Sequence, residues 1–66
     1  MSREKQILKF EYYGKVWTVT KKPRKGGEEW EQTYTVYCNY QNDKEKILIA
    51  ECREMFDAFD AIQRRM

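Results

Sequence analysis

Between Trp30 and Tyr40 the side chains alternate, with Tyr34, Val36, Cys38 and Tyr40 on one side and Thr33, Thr35, Tyr37 and Asn39 on the other. A period of two in β-branched and aromatic residues specifies a strand with one face against a core and one toward water. A lone strand is not stable, so the rest of the 66 residues must supply its neighbours and a cover for its apolar face.

The neighbours are legible upstream. Residues 7–13 alternate, placing Leu8, Phe10 and Tyr12 opposite Lys9, Glu11 and Tyr13, and Val16-Trp17-Thr18-Val19-Thr20 is strand-forming with Trp17 and Val19 on a common face. Gly14 and Lys15 are expected to make the tight turn between them. Pro23 removes a ladder donor and Gly26-Gly27 frees the backbone, so 21–29 is expected to be a flexible basic loop, like the terminus 1–5.

Downstream, the short apolar run Ile47-Leu48-Ile49-Ala50 suits a fourth strand after an Asn-Asp turn. The spacing of Asn42 and Glu45 leaves an early helix start open. Cys52, Met55, Phe56, Phe59, Ile62 and Met66 recur at helical steps and are expected to form the stripe that covers the sheet. The expected fold is therefore α+β: an antiparallel three- or four-stranded β-meander with one C-terminal α-helix packed on one face, a single small domain spanning 1–66.

Composition narrows the chemistry. There is no histidine, Cys38 and Cys52 lack a metal-ligand spacing, and no glycine-rich phosphate loop is present, so neither an enzyme, a metal centre nor a cofactor is expected. No apolar run is long enough for a membrane span, and the first residues lack the apolar core of a signal peptide, which points to a cytoplasmic protein.

A formal charge of +2 conceals an asymmetry. Residues 1–25 sum to +6, whereas 26–62 sum to −6. Segregation of this kind turns one surface toward an anion. The sharpest cluster is Lys21, Lys22, Arg24 and Lys25 between Trp17 and Trp30, where cations can displace counterions from a phosphate backbone while an aromatic ring stacks on a base. The plainer reading is a solvated loop, with Trp30 a lid over the core edge. Lys9, Tyr13 and Tyr37 extend the candidate surface along the sheet face opposite the helix, and Lys15, in the expected turn, adds a further cation.

In element order the chain resembles the sheet-reading arm-binding domains of phage integrases and the coactivator-type single-strand binders. Gly14-Lys15-Val16-Trp17-Thr18-Val19 opens the second strand of that outline, and the likeness transfers no functional residue. Two readings follow. One is a nucleic-acid-binding module for DNA or RNA using Lys9, Tyr13, Lys15, Lys21, Lys22, Arg24, Lys25, Trp30 and Tyr37. The other is a protein-binding adaptor or inhibitor of the phage or mobile-element type, acting through exposed aromatics or an acidic helix face of Glu54, Asp57 and Asp60. A homodimer is open in either case.

Overall fold

The computed structural model describes residues 4–28 and 31–66. Four strands, β1 (Lys5–Tyr12), β2 (Lys15–Pro23), β3 (Gln32–Tyr40) and β4 (Ile47–Cys52), are followed by the helix α1 (Met55–Gln63). The sheet is antiparallel throughout with order β1-β2-β3-β4, the meander expected from the alternation, and the apolar run at Ile47 is a strand.

Tyr12 pairs with Lys15, so the two turn residues are Tyr13 and Gly14 rather than Gly14 and Lys15. Both have positive φ, 49° and 76°. Two left-handed residues give the turn the twist that joins right-twisted strands.

Strand β2 does not end at Thr20. It continues through Lys21 and Lys22 to Pro23, which lies opposite Gln32. Pro is tolerated because β1 begins opposite Lys21, leaving the last stretch of β2 bordered by β3 alone, so the missing N–H falls on an open edge.

Trp17, Val19 and Val36 pack with Ala58 and Ile62 of α1 to form the buried core, and Leu8, Phe10, Cys38 and Ala50 border it. A bulge at Ile7 and another at Ile49 adjust the two outer strands to this face.

The helix stripe differs from the expected one. Cys52 belongs to β4, and the buried helix positions are Ala58 and Ile62. Phe56 is 82% exposed and Phe59 sits at the margin. At 3.6 residues per turn, Phe56 lies about 160° around the helix from Ala58, so seating Ala58 and Ile62 on the sheet turns Phe56 to solvent. The small Ala58 side chain lets the helix approach β3 and β4 closely.

The face opposite the helix is also less open than its threonines suggest. Thr18, Thr20 and Thr35 are buried. The Glu4 carboxylate reaches over this face and accepts hydrogen bonds from Thr20 Oγ1 at 3.0 Å and from the Tyr37 hydroxyl at 3.3 Å.

Candidate nucleic-acid interface

The meander converts the charge asymmetry along the chain into one across the sheet. Lys5, Lys9, Lys15, Lys21, Lys22 and Lys25 all belong to β1, β2 and the start of the following turn, on the side of the sheet away from β4. None of them forms an ion pair among the described residues, where the ion pairs are Arg24 with Glu31 and Arg64 with Asp60. Glu51, Glu54, Asp57 and Asp60 stand at the opposite side, on β4, at the N-cap of α1 and on α1 itself.

Each sequence-derived candidate has a definite place. Lys9 is exposed on β1 opposite Thr18. Lys22 is exposed on β2 opposite Thr33, on the same sheet face as Lys9, whereas Lys21 lies on the helix side opposite Tyr34. Lys25 occupies the turn after β2, where Gly26 takes a φ of 79°.

Arg24 is not free to contact a phosphate in this arrangement. Its guanidinium pairs with Glu31 and donates to the Gln32 carbonyl at 3.1 Å. The Arg24 N–H also donates to the Glu31 carbonyl at 3.0 Å, so the residue closes the β2–β3 connection rather than projecting from it. Trp30 lies outside the described residues.

At the far end of the first hairpin Tyr13 is 87% exposed, its ring edge-on to that of Tyr12 with centroids 4.5 Å apart. Lys15 is half-buried nearby, its ammonium 5.8 Å from the centroid of the Tyr40 ring. Tyr37 is less available than the alternation implies. Its hydroxyl donates to Glu4, and the Lys46 ammonium stands 5.9 Å from its ring centroid. Burial first, then the negative charge of Glu4 and the hydrogen bond to it, push the Tyr37 phenol above its ordinary value of 10.0.

The geometry thus does not gather the candidates into one pocket. Lys5, Lys21, Lys22 and Lys25 form one group, Tyr13 and Lys15 another, and Lys9 lies between them. The eight residues of β1 separate the groups by about 25 Å at the rise of a strand. The result is a strip.

Sequence reasoning misses Lys5, because its position directly opposite Lys21 depends on a register that only the bulge at Ile7 establishes. Among the described residues no cluster of His, Cys, Asp or Glu has the makings of a metal site, and no helix is long and apolar enough to cross a membrane. Comparison with protein-family models, curated proteins and solved structures finds no match.

Proposed function

We propose that this chain is a small non-enzymatic nucleic-acid-binding module that lays its β1–β2 hairpin along a phosphate backbone. The reading is carried by the hairpin lysines, which lie toward the β1 edge of the sheet, Lys9 and Lys22 on the face away from the helix and Lys5 and Lys21 on the helix side, without a carboxylate partner among the described residues. Cations left unneutralised by their own protein release counterions when they meet a polyanion. Lys5, Lys9, Lys21, Lys22 and Lys25 contact phosphates, and the Tyr13 ring stacks on a base at the end of the strip. Arg24 has a structural role in this scheme, and Tyr37 shapes the sheet face without stacking.

The test is a titration of a mixed-sequence single-stranded oligonucleotide at several salt concentrations. Replacing Lys9, Lys21, Lys22 and Lys25 together by Gln should weaken binding and reduce the salt slope by roughly 0.7 for each phosphate that is no longer neutralised. Absence of salt-sensitive binding by the unaltered protein overturns the reading.

A second reading draws on Phe56. This ring is 82% exposed, with Met55 also exposed and Glu54 and Asp57 beside it in sequence. An apolar helix surface with acidic neighbours fits an apolar cleft rimmed by basic groups on another protein. A photo-crosslinker at position 56 should then capture a partner, and the charge reversal Asp57→Lys should abolish that capture. Capture insensitive to this reversal counts against the reading.

A further inference from the structure

We infer that the groove between the start of β2, the end of β3, the start of β4 and the residues after α1 is a binding site for a small organic carboxylate with an apolar body. The groove has a volume of about 400 Å³ and includes Trp17, Ile47 and Ile49 in its apolar wall, with Tyr40, Lys15 and Arg65 among its polar groups. That size lies within the roughly 300 to 1,000 Å³ of small-molecule pockets. It exists because α1 ends at Gln63 and leaves this end of the sheet without a helix above it. Ile47 is consequently 54% exposed, although it lies opposite Cys38 at the border of the core.

Two features specify the ligand. The lining holds two cations, Lys15 and Arg65, and no carboxylate, so its charge complements an anion. Neither cation is in an ion pair among the described residues. The apolar wall disfavours a bare phosphate or sulfate, which would bring no surface to bury against Trp17 and the two isoleucines. A carboxylate with an apolar body meets both requirements: its oxygens pair with the Arg65 guanidinium and the Lys15 ammonium, and the apolar body lies along Trp17, Ile47 and Ile49.

This site is independent of the nucleic-acid strip except at Lys15, and Arg65 separates the two. The experiment is a titration with 3-phenylpropionate followed by the Trp17 indole resonance in nitrogen-15 correlation spectra, assigned with a Trp30→Phe variant. The expected result is a saturable shift of that resonance together with the amides of Asn39 and Ile47. The neutral analogue 3-phenylpropionamide should bind about tenfold more weakly, the loss that follows from removing one charge-assisted contact. Arg65→Gln should remove the preference for the acid while leaving oligonucleotide affinity nearly unchanged.

Lack of a saturable shift, equal binding of acid and amide, or an unchanged preference in Arg65→Gln each overturns the proposal. A peptide ending in a free phenylalanine carboxylate serves as a further arm. Should the peptide bind while the free acid does not, the occupant is a chain terminus and the small-molecule assignment fails.

Discussion

Lys5 and Lys21 stand directly opposite each other in the β1–β2 ladder. Like charges in this position oppose pairing of the strands, so folding holds together two groups that an anion would reconcile. Lys21→Glu should therefore move stability and binding in opposite directions. Stability rises by about 0.2 to 1 kcal/mol through the new cross-strand pair, an increment reduced by salt. Oligonucleotide affinity falls. Urea denaturation and a binding titration on the same sample read both, and a loss of stability would mean that the two ammonium groups do not repel in the folded sheet.

The exposure of Phe56 and burial of Ile62 give a second prediction. Phe56→Ala should change stability by less than about 0.5 kcal/mol, because an exposed ring leaves no cavity. Ile62→Ala, which empties space against Trp17, Val19 and Val36, should cost about 2 to 5 kcal/mol. Thermal melts of the two variants distinguish this helix orientation from one centred on Phe56.

Much of this architecture is readable from alternation alone. Trp17, Val19 and Val36 are core residues because each sits on the apolar face of a strand whose period is unbroken, and Ile47 begins a strand as the short apolar run Ile47-Leu48-Ile49-Ala50 suggests. The helix orientation escapes such a reading for a physical reason. A stripe through the largest side chains points to Phe56, whereas Met55, Ala58 and Ile62 also share helical spacing, and the small Ala58 sets the distance of closest approach. The candidate site is less legible than the fold. Lys5 meets Lys21 only through a bulge, and Arg24 meets Glu31 only once the hairpin closes, so charge counted along the chain does not separate free cations from neutralised ones. The burial of Thr18 and Thr35 likewise depends on how neighbouring side chains fold over the sheet, which composition does not encode.

Tyr37 makes stability depend on alkaline pH. Its pKa is raised in the folded protein, chiefly by burial and then by Glu4, so the folded chain retains the phenolic proton more tightly than the unfolded chain. The contribution is complete below the ordinary value of 10.0 and is lost as pH rises through the higher folded value. Tyr37→Phe should lower stability near neutrality by about 0.5 to 1.5 kcal/mol through loss of the hydrogen bond to Glu4. It should also make stability fall less steeply above pH 10. Denaturation curves recorded from neutral to alkaline pH provide the comparison, and parallel declines in the two proteins would exclude Tyr37 as a source of the dependence.

The backbone of Tyr13 supplies the most discriminating test of the nucleic-acid reading. A tyrosine at a φ of 49° is in the left-handed region that L-residues with bulky side chains avoid, and its ring is 87% exposed, so little burial offsets the strain. Asn-Gly is the favoured pair for a two-residue turn of this type. Tyr13→Asn should therefore stabilise the fold, by about 1 kcal/mol on the scale of the left-handed penalty. If the ring stacks on a base, the same change should weaken oligonucleotide binding by about 1 to 3 kcal/mol and leave the salt slope as it was, because every phosphate keeps its cation. A merely structural tyrosine would show the gain in stability with no drop in affinity. The lysine strip would then bind polyanions without an aromatic contribution, and the assignment of Tyr13 would have to be abandoned.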